Sequence, residues 1–228
     1  MNTYRKNAIT VGVLFIITMI AGIIESNFSA PILQGPLNTI YPNEIQVKIG
    51  ALLILVMSIG IVCIAITLFP VLKRHNETIA ITYVCFRTIE CAFLIVGAVI
   101  SLLLITLSQN CITAGAPDTS NFEIIRKIAI TVRYSAYQIA MIILDLGSLM
   151  LCYLLYQSKL IPRWLSAWGF IGYALLLTRA LLDLLGIIDT VHDVGMMMYI
   201  PGGLWELLVF SLWLFVKGFH SSAITSVQ

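Results

Sequence analysis

Six charged side chains stand inside otherwise apolar stretches of this 228-residue sequence: Arg87, Glu90, Asp145, Arg179, Asp183 and Glu206. A charge at the centre of a membrane span costs about 2.5–3.5 kcal/mol on insertion scales, so such residues point into a bundle and meet partners there. Arg87 and Glu90 are spaced i,i+3, and Arg179 and Asp183 i,i+4, so on a helix each pair shares a face. With a rise of about 1.5 Å per residue, Arg87 lies roughly 12 Å deep, and Glu90 and Asp145 roughly 16 Å. The same rise puts Arg179 at roughly 22 Å, with Asp183 one turn farther out; Glu206 of the sixth span is placed level with Arg179.

The six then form two layers, each with one cation and two carboxyls. The middle layer is Arg87 with Glu90 and Asp145; the outer layer is Arg179 with Asp183 and Glu206, and Arg179 is expected to meet Glu206. Desolvation and the like charge both disfavour a second ionised carboxylate, so one carboxyl per layer should carry a proton. Gly147 and Ser148 stand near Asp145 and could hydrate or hydrogen-bond it. Two readings stay open. Each arginine could staple helices together, or each layer could be a titratable site for a proton, a cation or a positively charged ligand.

The elements that must position these residues follow from composition. Hydrophobic residues make up 60% of the chain and charged ones 11%, where a soluble domain has about 45–50% and about 25%. That excludes a soluble enzyme, a disordered tail and a nucleic-acid binder. Six apolar segments emerge at about 8–24, 49–69, 79–107, 134–156, 164–184 and 201–217. A lone segment in lipid must satisfy its backbone internally. The expected fold is therefore all-α: a single domain over 1–228, a bundle of about six transmembrane helices.

The connections differ in character. Residues 25–48 carry Pro31, Gly35, Pro36 and Pro42 and should be irregular rather than helical. Residues 108–125 hold Cys111 and the turn signal Gly115-Ala116-Pro117-Asp118. Pro201-Gly202-Gly203 reads as the start of the sixth span, since proline is ordinary at a helix start. The glycines show no GxxxG spacing for close helix packing. Near the N-terminus, Arg5 and Lys6 precede the run 8–24, which is too long for an ordinary signal-peptide core. It reads as an uncleaved first span.

Several chemistries find no residues. His75, His192 and His220 all lie outside the apolar segments, which argues against a haem held between helices and an HExxH metalloprotease. Asp189, His192 and Asp193, followed by Met196-Met197-Met198, mix hard and soft ligands that no single metal favours. No cofactor is indicated. An intramembrane enzyme using Glu or Asp as acid and base is the weakest reading, because no nucleophile or metal set accompanies the carboxyls. The partners expected are the lipid bilayer and a small solute, proton or cation; a protein partner is not legible.

Three stretches resemble the bacterial family of the domain of unknown function 4386: FRTIECAFL at 86–94, SKLIPRWLSAWGFIGYALL at 158–176, and PGGLWELLVFSLWLFVKGF at 201–219. The resemblance runs over nearly the whole chain. It implies a polytopic bacterial inner-membrane protein whose charged motif positions correspond here to Arg87, Glu90, Glu206 and Lys217. It implies no activity, and it does not reach Asp145, Arg179 or Asp183.

Orientation follows from lysine and arginine counts. Arg5, Lys6, Lys73, Arg74, Lys159, Arg163 and Lys217 fall on the side of the termini; Lys48, Arg126, Lys127 and Arg133 fall on the other. Both termini should face the cytoplasm, with Trp164, Trp168, Tyr153 and Tyr156 at the inner interface. In a variant that retains Cys111 as its sole cysteine, a membrane-impermeant thiol reagent should therefore label intact cells. Labelling that requires permeabilisation would reverse the orientation.

Overall fold

The computed structural model describes residues 3–114, 120–188 and 194–220. The turn signal at 115–118 and the group Asp189, His192 and Asp193 lie outside the described residues. All described elements are helical: α1 (Thr3–Phe28), α2 (Ala30–Gln34), two 3-10 turns (Leu37–Thr39 and Tyr41–Asn43), α3 (Glu44–Leu72), α4 (Glu77–Ala114), α5 (Ser120–Ser158), α6 (Arg163–Leu184) and α7 (Val194–Leu204). A π-helical stretch (Trp205–Phe210) then joins α7 to α8 (Ser211–Val216). Six helical stretches among the described residues are long and apolar enough to cross a membrane.

The helices outrun the apolar segments that announce them. α4 has 38 residues and α5 has 39, so each is roughly 57 Å long against a hydrocarbon core of about 30 Å. Hydropathy marks where a segment stops being apolar, whereas the backbone stays helical until a proline, glycine or unfavourable cap intervenes. Cys111 accordingly sits on α4 rather than in a connection.

Two readings of the loops need correction. The connection 25–48 is built largely of short helical turns, with Pro31 and Pro42 each in the first turn of its element, where a missing N–H costs nothing. Pro201, expected at a helix start, lies inside α7, which begins at Val194. Gly202 and Gly203 are therefore interior residues of the sixth span.

Each span packs beside its neighbour in sequence, and α8 closes on α1 to complete a ring. At the end that holds both termini, Arg5 donates to the carbonyls of Phe215 (3.0 Å) and Val216 (2.8 Å). A cation there satisfies the open carbonyls of a helix C-terminus. The His220 amide reaches the Leu160 carbonyl at 2.9 Å, tying the end of the last span to the turn between α5 and α6.

The same half of the bundle is filled by a large core that includes Phe15, Leu68, Tyr83, Leu155, Tyr173, Trp205 and Phe210. Trp205 and Phe210 stack at 4.4 Å, with Phe15 edge-on to Phe210 and Tyr173 edge-on to Trp205, both at 5.6 Å. At the opposite end, Leu33, Leu37 and Ile40 of the short turns pack on Val47, Leu104 and Ile105. The outer surface is apolar: Leu52, Ile59, Val99, Ile128 and Ile171 all face outward, as a surface solvated by lipid chains requires.

Close packing of α6 on α7 was invisible to the GxxxG test because its two small residues sit on different helices. A Cβ built on Gly172 would come within 2.9 Å of Gly202 Cα and 3.0 Å of its nitrogen. Both are backbone atoms and cannot turn aside. Gly172→Val is expected to force the two helices apart and to destabilise the protein by about 1–3 kcal/mol. Thermal unfolding in detergent measures it, and an unchanged midpoint would show that α7 can shift freely.

Candidate functional site

Each arginine was expected to meet a carboxyl of its own layer, and of those pairings only Arg87–Glu90 forms an ion pair. Arg87 Nη1 donates to Glu90 Oε2 at 3.0 Å, with Arg87 2% and Glu90 0% exposed. The remaining donors of Arg87 are also placed: Nε reaches the Tyr83 hydroxyl at 3.1 Å and Nη2 the Ser148 hydroxyl at 3.1 Å. The guanidinium also lies 5.3 Å from the Tyr83 ring centroid. Tyr83, Arg87 and Glu90 lie one turn apart on α4, so one face supplies the cation and two of its partners. Ser148, expected beside Asp145, is instead the acceptor that joins α5 to this cluster.

Asp145 belongs to the same region but not to the pair. It is 2% exposed, forms none of the ion pairs among the described residues, and takes no hydrogen bond from a described residue. Glu90 keeps one oxygen, Oε1, buried and without a partner.

The outer layer is corrected throughout. Arg179 and Glu206 form no ion pair, and neither do Arg179 and Asp183. Glu206 accepts the Tyr173 hydroxyl at 3.0 Å. Asp183 turns toward α5, where Tyr134 Oη (2.8 Å) and Gln138 Nε2 (2.9 Å) donate to it. Arg179 is 9% exposed, its Nε has no hydrogen-bond partner, and its guanidinium lies 5.4 Å from the Tyr199 ring centroid.

The physical reason lies in the sixth span. Depth counting assumes regular α-helix, but Glu206 sits in the π-helical stretch, where the Ser211 hydroxyl donates to the Glu206 carbonyl at 2.6 Å. Counted back from Lys217, Glu206 stands only about 16 Å deep, level with Glu90 and Asp145 rather than with Arg179, and the wider turn also rotates it relative to a regular helix. π-Turns inside α-helices are frequent at functional sites.

A cavity of about 550 Å³ gathers these groups. Arg87, Glu90, Asp145, Arg179 and Glu206 line it; Asp183 does not. The lining runs from Ala30 and Gln34, at the end opposite the termini, down to Glu90 and Glu206. The aromatic core around Trp205 and Phe210 occupies the half of the bundle beyond. Such a volume suits a small organic molecule, for which pockets run about 300–1,000 Å³.

The sequence reading missed a second charge pair on this wall. Arg133 Nη2 donates to Glu25 Oε1 at 2.9 Å, and its Nε to Ser101 at 3.0 Å. Both residues were assigned to connections because hydropathy has already fallen off there, yet each lies on a long helix, α5 and α1 respectively. The signal available was the unbroken helical pattern on both sides. Among the described residues no group of three His, Cys, Asp or Glu converges to hold a metal ion.

A ring of six apolar helices around a cavity whose mainly apolar wall carries several charged side chains defines a multi-pass helical membrane protein. The chain belongs to the family described as domain of unknown function (DUF4386), whose model matches residues 10–218. That match reaches all six spans, leaving out only the first residues of α1, and includes every charged residue named above as lining the cavity. No curated protein and no solved structure matches the chain.

Arg87 and Glu90 should behave as a unit. Removing one partner of a buried pair leaves an uncompensated charge and costs about 3–5 kcal/mol, whereas replacing both is far milder. Arg87→Met is expected to lower thermal stability in detergent more than the Arg87→Met, Glu90→Gln double variant does. A double variant worse than Arg87→Met would show that Glu90 is not the partner that matters.

Proposed function

We propose that this protein binds a small polar solute or cation in the cavity between its six helices, within the cytoplasmic membrane of a bacterium and with both termini inside. The observation that carries the reading is the reach of the cavity. It extends to Glu90, Asp145, Arg179 and Glu206, where a purely structural set of charges would be packed dry.

The charges divide by role. Arg87 with Glu90, and Arg133 with Glu25, are neutralised pairs that hold α4, α5 and α1 in register. Asp145, Glu206 and Arg179 remain as groups able to meet a ligand. The aromatic core at the end of the termini supports binding over passage, since Phe15, Tyr173, Trp205 and Phe210 fill the space through which a pore would run.

Water access separates this reading from a scaffold with sealed charges. Gly97 lines the cavity, and a Cβ built there meets only Arg133 Cγ, at 3.9 Å. Val99 faces outward. In a background without the native cysteines, a cationic methanethiosulfonate reagent added to permeabilised vesicles should modify Gly97→Cys and spare Val99→Cys. Equal protection of the two would mean a dry interior and would overturn the binding reading.

A further inference from the structure

Two pairs on the cavity wall are complete, and what they leave is asymmetric. Once Arg87–Glu90 and Arg133–Glu25 are joined, the lining keeps one guanidinium, Arg179, and two carboxyls, Asp145 and Glu206. Glu206 has the Tyr173 hydroxyl. Arg179 and Asp145 are each at least nine-tenths buried and both line the cavity. Both face the one cavity, yet they form no ion pair with each other.

Opposite charges in an apolar surround attract strongly, so leaving them apart leaves two open sockets facing one space. A guanidinium with an unused N–H is a receptor for a carboxylate or phosphate. A carboxylate with no donor, lining the same cavity as Glu90, whose Oε1 is unpartnered, is a receptor for an ammonium group.

Resting on the binding reading above, we infer that the ligand is dipolar: a small molecule, or the headgroup of a lipid, bearing an anionic group that meets Arg179 and an ammonium group that meets Asp145. One molecule with both charges completes both sockets and adds no net charge to the interior. A simple cation would leave Arg179 exposed to the cavity, and a simple anion would leave Asp145 so. The mainly apolar remainder of the lining, including Ile54, Met57, Ile61, Phe93 and Leu176, fits the hydrocarbon part of such a molecule. Free zwitterions and zwitterionic lipids share this chemistry.

The test uses the full chain in nanodiscs of phosphatidylglycerol, which offers no ammonium group. Glycerophosphoethanolamine and γ-aminobutyrate are added as soluble zwitterions, with ethylamine and inorganic phosphate as cation-only and anion-only controls. In a second arm, phosphatidylethanolamine replaces part of the lipid. Affinity is read by thermal shift for the soluble probes and by native mass spectrometry for retained lipid.

The expected result is binding of a soluble zwitterion, or selective retention of phosphatidylethanolamine, at least roughly tenfold tighter than either control. The arm that responds names the source. Arg179→Gln and Asp145→Asn should each remove most of that preference. Ethylamine binding as tightly as the zwitterions, in a protein whose Gly97→Cys variant is labelled, would overturn the dipolar ligand while leaving a solute site in place. Failure of every probe and of lipid retention would overturn it as well. The wild-type comparison stands even if a variant fails to fold.

Discussion

A guanidinium inside a lipid-embedded bundle has to be surrounded by acceptors, and the satisfaction of Arg87 governs much of the arrangement around it. Its three kinds of nitrogen find Tyr83, Glu90 and Ser148. Two of these acceptors come from its own helix, so α4 can present the cation already half-neutralised. The third comes from α5, and that bond sets the rotation of α5 about its axis. Asp145 lies three residues before Ser148, on the same face. The contact that completes Arg87 is therefore also what turns Asp145 inward, followed at helical spacing by Met141 and Tyr137, which line the same cavity.

The pairing that could be read from the sequence is the one that needs no tertiary information. Arg87 and Glu90 are fixed relative to each other by a single helical turn. Tyr83, four residues earlier, obeys the same rule and was there to be found. Interhelical contacts are different, because they depend on relative depth and rotation together. Arg179 and Glu206 were matched by depth, but Glu206 lies nearer the level of Glu90, and with the rotation of the π-helical stretch it meets Tyr173. The six spans were legible because apolarity in lipid is nearly a sufficient condition for a helix. Their ends were not, and that error hid the Glu25–Arg133 pair.

The π-helical stretch also explains how one short segment serves two surroundings. Trp205 is fully buried and stacks on Phe210 in the aromatic core, while its neighbour Glu206 faces the cavity. The loosened turn still satisfies its carbonyls, one of them through the Ser211 hydroxyl. On the same span, Gly202 lets α7 approach Gly172 of α6 at backbone distance, and Trp168 of α6 donates to the Pro201 carbonyl at 3.2 Å. The last span is thus held on α6 just before its irregular stretch and by Arg5 at the carbonyls of Phe215 and Val216 beyond it, which keeps Glu206 aimed at a fixed point.

Stability by itself gives no account of Asp145 and Arg179. Buried ions replaced by apolar residues of similar volume often leave a protein equally stable or more so, and an unpaired charge in a membrane interior is costlier than a paired one. Two neighbouring pairs show that this fold readily brings arginine and carboxylate together. Asp145 and Arg179 line the same cavity and are held apart by the helices that carry them. The strain of keeping both ionisable, buried and separated is understandable if the space between them is meant to be filled by something that carries the complementary charges. Violations of local stability rules collect at functional sites for this reason.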